Sequence, residues 1–340
     1  MRLSAMGDVA MTVPVLRAFA KQYPAVKLTV ISRPFFKPFF DGIPNLDFFS
    51  FDEKERHKGF LGLLRLFNDV KKLKIDAFAD LHNVLRSKVV SLLFALSGKK
   101  RATVDKGREG KKELTRAENK IFKQLPTMFE RHARVFSALG FPLDLSPRSV
   151  GTTFLEKAVL SSDILNIIGN EKQKLIGIAP FAQYDSKVYP LDLMKEVISK
   201  LAENPSYKIL LFGGGKKEIE ILDSLSEPFE NVINMAGKIK FQQELQLISN
   251  LDVMLSMDSG NAHIAAMLGV KVITLWGATH PYAGFLPFNQ SLENALTADR
   301  NQYPKLPTSV YGNKVVEGYE DAMRTILPQQ VVDKVVEQLL

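Results

Sequence analysis

The sequence predicts an α/β protein made of two doubly wound domains, each built on a parallel sheet. Short runs rich in Val, Ile and Leu alternate with helix-length amphipathic stretches along the chain. The alternation comes as two series, separated by the Pro- and Ser-punctuated stretch Phe141–Thr153. Strands covered on both faces read as continuous apolar runs, and a helix between successive strands makes them parallel, so two such series describe two Rossmann-like domains. The length of 340 residues agrees, since a domain takes about 150. The boundaries fall at 1–150 and 151–328. Residues 329–340 form a final amphipathic helix that could pack back on the first domain.

In chain order, the first series predicts a helix over Val13–Gln22, a strand over Val26–Ser32 and a helix over Phe60–Lys72. A strand over Ala77–Leu81 and a helix from about Ser87 to Leu96 follow. Only three residues precede Ser4, whereas a strand usually takes about five. Either the edge of the first domain is therefore expected to be compromised or the opening strand to be short. The second series predicts strands over Leu175–Ala179, Lys208–Phe212, Val253–Ser256 and Val270–Trp276. Helices over Leu191–Glu203, Lys217–Leu225, Gln242–Asn250 and Ala262–Leu268 fall between them.

Composition narrows the function. The absence of cysteine removes thiolate zinc sites, iron–sulfur clusters, disulfide scaffolds and cysteine nucleophiles. No apolar run approaches the roughly 20 residues of a membrane span, and Met1–Ser4 does not open a signal peptide, so a cytoplasmic protein is expected. Residues 1–150 carry 28 Lys+Arg against 15 Asp+Glu, whereas the remainder is acidic. Ten of the basic residues lie between Lys99 and Lys123. This asymmetry points to an anionic partner for the first domain (nucleic acid, anionic lipid, or a phosphorylated or carboxylated substrate) or else to a solvated loop. Aromatic residues do not interleave with the run, and no helix-turn-helix or RNP pattern is present, which disfavours nucleic acid. The five histidines are scattered. No HExxH, Asp-x-Asp or G-x-S-x-G pattern offers a metal site or a hydrolase nucleophile.

Four constellations remain. In Ser4-Ala5-Met6-Gly7-Asp8, Asp8 falls on the strand-to-helix loop where open α/β sheets place ligands. It could take a proton from a substrate hydroxyl or merely cap the following helix. In Ala179–Lys187, Lys187 precedes the helix start announced by Pro190. Its ammonium could neutralise phosphate, with Ser186 donating beside it, or it could be an ordinary loop lysine. The run Gly213-Gly214-Gly215 lacks the GxGxxG spacing of a dinucleotide site. Glu218 after it could bind ribose hydroxyls or favour the helix dipole. In Asp258-Ser259-Gly260-Asn261-Ala262-His263, a small-residue loop opens a helix, and first-turn amides aimed at one spot suit a diphosphate. His263 lies four residues after Ser259, on the same helix face. It could reach the leaving phosphate or pack in the core.

Taken together, these motifs resemble glycosyltransferase family 9, the ADP-heptose:lipopolysaccharide heptosyltransferases. The likeness rests on R-x-S-x-x-G-D (Arg2 to Asp8), A-P-x(6)-K-x-x-P-L (Ala179 to Leu191), Asn234-Met235-Ala236-Gly237-Lys238, and D-S-G-x-x-H followed by W-G-A-T-H-P. The resemblance implies a GT-B fold, with two Rossmann-like domains facing an interdomain cleft, the nucleotide-sugar on the second and the acceptor on the first. It also implies inverting, metal-independent transfer from ADP-heptose or another nucleotide-sugar, with no cofactor. The acceptor would be the phosphate- and Kdo-bearing inner core of lipopolysaccharide at the inner membrane face, met by the basic first domain. By matched position, Asp8 would be the general base and Lys187 a donor contact. Glu218 would bind ribose, Met235 and Gly237 would border the base, and Asp258, Ser259, Gly260 and His263 would form the sugar–diphosphate site. Arg86 and Ser87 would contact the acceptor. Ala182-Gln183 depart from the hydroxyl residues that some members carry there. A non-catalytic nucleotide-sugar-binding protein of the same fold is the alternative, and a Rossmann oxidoreductase a third reading.

Overall fold

The computed structural model describes residues 1–146, 157–314 and 316–340. The boundary expected near residue 150 therefore lies outside the described residues. The chain forms two compact units, one of residues 1–108 and 126–152, the other of residues 109–125 and 153–340. The segment 109–125 thus departs from the expected domain limits, because it packs with the second unit.

The second unit holds a six-stranded parallel sheet in the order β10-β9-β8-β5-β6-β7. Its strands are β5 (Lys174–Ala179), β6 (Tyr207–Leu211), β7 (Val232–Asn234), β8 (Val253–Met257), β9 (Lys271–Trp276) and β10 (Ala295–Thr297). In order of appearance this is the doubly wound 3-2-1-4-5-6 arrangement, and its chain reversal, where ligands bind, lies between β5 and β8. All five residues of β8 are buried, as a central strand covered by helices on both faces requires. The helices Leu191–Ala202, Lys216–Ser226, Phe241–Ile248 and Gly260–Met267 match the predicted ones within two residues at each end. The final helix, Pro328–Leu339, packs on the second unit. Val331, Val335 and Leu339 are buried in the second unit's core with Ile198, Val253 and Ile273.

The first unit holds two parallel pairs, β1 (Leu28–Ser32) with β2 (Leu46–Ser50), and β3 (Ala77–Asp80) with β4 (Lys100–Thr103). The opening residues bridge them. Arg2 N donates to Ile31 O (3.1 Å), while Leu81 N donates to Met1 O and Met1 N to Ala79 O. The short opening segment therefore occupies the central position expected of a first strand, although it forms no regular strand. The pattern reading missed β2 and β4. Their residues are mostly half-buried or exposed, with Lys100 and Arg101 on the edge, and a charged edge strand lacks the apolar signature of a buried one.

The basic run resolves into several pieces. Lys100 and Arg101 lie in β4, Arg108–Thr115 is helical, and two lysines of the 109–125 segment are used in packing. Buried Lys111 places its ammonium 4.1 Å from the centre of the Phe285 ring, a cation–π contact. Lys120 donates to Leu114 O (3.0 Å) and Pro307 O (2.6 Å). Burial and then Arg300 lower its ammonium to about 8. Part of the predicted anion-attracting charge is thus internal.

Candidate functional site

At the reversal of the second sheet, the loops after β5, β8 and β9 converge. Asp258 follows β8 directly. Its Oδ2 accepts from Thr279 Oγ1 (2.9 Å) and lies 3.0 Å from Lys187 Nζ, with both charged side chains nearly buried. Lys187 ends the short turn Asp185–Lys187, and the helix after it begins at Leu191, behind Pro190 as predicted. Tyr189 anchors that entry by donating from its hydroxyl to Ile326 O (2.6 Å). Two glycines allow the loops to close on Lys187. At Gly312 (φ +86°) a Cβ would stand 2.4 Å from Lys187 Cδ, and at Gly277 one would stand 2.6 Å from Ser186 O. Neither position has room for a side chain.

Ser259 begins the helix Gly260–Met267 in extended backbone, and Ser259, Gly260 and Asn261 are partly exposed. The first amides of a helix have no intrahelical acceptor, so a solvent-reachable row of donors stands beside the Lys187 ammonium's loop. His263, one turn in, is buried. Glu218 lies in the first turn after the glycine run, and its Oε2 accepts from Gly214 N (2.7 Å), which steadies that loop.

Two of the expected donor contacts have their side chains engaged or covered. Ser186 Oγ donates to Gly312 O at 2.6 Å. Met235 is 1% exposed. Gly237, at φ +74°, is exposed at that turn together with Lys238.

In the first unit, Asp8 sits in the helix Met6–Ala10, at the end of the bridging segment. Its Oδ2 lies 2.5 Å from Arg2 Nη2 and accepts from Ala5 N (3.3 Å). The carboxylate is one-third exposed, whereas the Arg2 side chain is 7% exposed. Arg2 is fixed in turn by donating to Ser4 O and Leu81 O. Asp8 therefore braces the start of its own helix, Met6–Ala10, rather than capping the following one, and its carboxylate also reaches solvent. Lys106 lies close by. Burial and then Arg2 push its ammonium down, and Asp8 opposes them.

Arg86 is exposed and pairs with Glu53 (3.2 Å), which also binds Arg33 (2.9 Å). Ser87 is the other expected acceptor contact. It is fully buried and donates to Asp80 Oδ2 (2.9 Å), while Asp80 Oδ1 accepts from His82 N and Asn83 N. Its work is to hold the turn after β3. A pocket of about 280 Å³ lined by Arg101, Arg131 and Arg134 lies beside β4, apart from the predicted residues. Among the described residues, no group of three or more His, Cys, Asp and Glu side chains could hold a metal ion.

The sequence reading missed Arg2 and Thr279 as partners of the two aspartates, and Glu53 as the bridge between two arginines. Arg2 and Thr279 lay inside the quoted motifs. The signal for Thr279 was its position after β9, beside the strand that Asp258 follows; Arg2 stands six residues before Asp8 on the same segment.

A doubly wound parallel sheet in a chain with a second α/β unit is the architecture of the GT-B fold, and a lysine and a helix N-terminus stand at the reversal of the second sheet. The model of glycosyltransferase family 9 (heptosyltransferase) matches residues 63–314, and the chain belongs to that family. It is 26% identical to the lipopolysaccharide core heptosyltransferase OpsX of Haemophilus influenzae, over 87% of this chain and 83% of that protein. Lipooligosaccharide heptosyltransferase 2 of the same species is also 26% identical, over 98% and 96%. Among solved structures, a family 9 glycosyl transferase from Veillonella parvula shares the fold with a TM-score of 0.75 at 19% identity, over 99% of this chain and 95% of that one. The E. coli heptosyltransferase WaaC with ADP shares it with a TM-score of 0.68 at 18% identity, over 99% and 98%.

Proposed function

We propose that this chain transfers a heptose from a nucleotide-sugar, ADP-heptose, to a hydroxyl of a lipopolysaccharide inner-core acceptor, with inversion and without a metal ion. The observation that carries the reading is the Lys187–Asp258–Thr279 cluster at the β5/β8 reversal, beside the first turn of the helix Gly260–Met267. A diphosphate leaving group needs positive charge and oriented donors where its own charge grows. Lys187, the amides of Ser259–Asn261 and His263 supply them, and Asp258 and Thr279 hold the lysine in place.

In the transfer, the acceptor oxygen bonds to the anomeric carbon as its proton passes to Asp8. The bond from that carbon to the diphosphate oxygen breaks, and the nucleoside diphosphate leaves with the electron pair. Glu218 faces the ribose, Gly237 borders the base and Arg86 contacts the acceptor. Two facts from relatives support the donor and acceptor classes: OpsX is a lipopolysaccharide core heptosyltransferase, and WaaC was solved with ADP. An acceptor carried on lipid would bring the basic first unit to a membrane surface. No helix among the described residues is long and apolar enough to cross one.

Thermal shift with ADP, GDP and UDP tests the donor class. At about 100-fold over Kd, the correct diphosphate stabilises by about 2.7 kcal/mol, and a rise confined to ADP is expected. Equal responses to all three would reject the donor assignment. Transfer with ADP-heptose and a core acceptor in EDTA should give the inverted anomer by NMR. Donor binding with no transfer to any core acceptor would leave the binding-protein alternative standing instead.

A further inference from the structure

The helix Leu85–Leu96 buries Val90 and Phe94 in the core, with two serines beside them and three leucines on the outside. Ser87 and Ser91 are fully buried, and Ser91 Oγ has no hydrogen-bond partner, while Leu85 (79%), Leu92 (51%) and Leu96 (77%) are exposed. Burying an unpaired hydroxyl while three leucines face water is unfavourable on both counts. The three leucines recur at i, i+7 and i+11, one face of the helix, and exposed Lys88 falls between the first two. The neighbouring helix, Gly59–Lys71, packs against it through Phe67 and Phe94 (ring centres 4.8 Å apart). It adds exposed Phe60 (65%) and Leu61 (66%) in its own first turn. Exposed Lys58 and Arg65 stand with them.

We infer that this face docks on an anionic phospholipid bilayer. Large apolar side chains interspersed with lysine and arginine, in a half of the chain with excess positive charge, match the chemistry of an acyl and headgroup boundary bearing negative lipids. A protein partner's apolar groove would not call for the basic residues. The inference rests on the transferase reading for why a lipid surface would be met, and on the exposed face alone for where. Leu85 is the residue before Arg86, so docking here brings the proposed acceptor contact to the lipid surface.

The test uses the full chain with phosphatidylcholine vesicles, with and without one-quarter phosphatidylglycerol, in a sedimentation assay free of donor and acceptor. The wild-type protein is expected to sediment with the anionic vesicles. L92E/L96E should lower the partition coefficient at least tenfold and K88E severalfold, with each variant keeping the wild-type thermal shift with ADP. No sedimentation of the wild-type protein with anionic vesicles, or unchanged partition of L92E/L96E, overturns the inference. So does a dimer in sedimentation velocity that L92E/L96E dissociates, because the face then belongs to a second copy. Vesicle binding without any ADP response would count against the transferase reading and leave the docking face intact.

Discussion

Both units carry an aspartate–cation pair at the reversal of their strand order, Arg2–Asp8 in the first and Lys187–Asp258 in the second, and the two pairs are built in opposite senses. In the first the cation is sunk and the carboxylate is one-third exposed. In the second both charges are nearly buried, with Thr279 completing the aspartate's shell. A buried guanidinium that braces an outward carboxylate leaves an anion available for proton transfer. A buried carboxylate that braces an ammonium fixes a cation and its loop. The same topological address thus presents an outward carboxylate in one unit and a braced cation in the other.

The sharpest way to break this comparison is to neutralise the two aspartates separately. Asp8→Asn is expected to lower kcat by about 10²–10⁴-fold, the usual worth of a positioned base. Its donor Kd, measured by calorimetry, should stay within about twofold. Asp258→Asn should instead weaken donor binding. If both variants lost only turnover, the division of labour between the pairs would be wrong.

Stability separates them next. Removing one partner of a buried ion pair strands the other charge and costs about 3–5 kcal/mol, whereas removing both costs less than the sum. Lys187→Met and Asp258→Asn should each lower the denaturation midpoint strongly, and the double variant should recover part of the loss. Arg2→Met should cost less through the charge itself, because water still reaches Asp8. Additive losses for Lys187 and Asp258 would mean that the 3.0 Å contact contributes no coupling.

The second unit was the more legible in sequence, and the reason is burial. β5, β6, β8 and β9 are apolar runs because helices cover both faces, and the loops after them carried the motifs that the structure brings together. In the first unit the sheet is held partly by polar groups with no periodic signature: Arg2 on Leu81 O, Ser32 Oγ on Arg2 O, and Ser87 on Asp80. β2 and β4 were therefore missed. The burial of Ser87 was not legible either, because it depends on Asp80, seven positions away. The destination of 109–125 was equally hidden, since Lys111 lies on a ring from residue 285 and no local pattern encodes such a partner.

That reliance on buried polar groups gives the units different acid responses, the smallest of the expected effects per group. Burial, with Arg2 second, lowers His82 to about 4 and His132 to about 3 in the first unit. Each is neutral when folded and titrates near 6.5 when unfolded. Their contribution is therefore intact above 6.5 and is lost as pH falls toward 4 and 3, at about 1.4 kcal/mol per pH unit for each group. Asp69, held low chiefly by Arg56, adds its own loss only below the ordinary carboxylate range. In the second unit, burial lowers His280 to about 4 but raises Glu244 to about 7. Between pH 6.5 and 4.5 the folded Glu244 holds a proton that the unfolded chain has released, so acidification stabilises through Glu244 while it destabilises through His280, and the two nearly cancel. Hydrogen exchange at pH 7 and pH 5, corrected for intrinsic rates, should then show protection falling in β1 and β3 but holding in β8 and β9. His132→Gln should flatten the slope of the first unit. Equal loss in both sheets would mean that buried histidines do not set the acid limit of the first unit, and the contrast between a polar-braced and an apolar-braced sheet would lose its energetic basis.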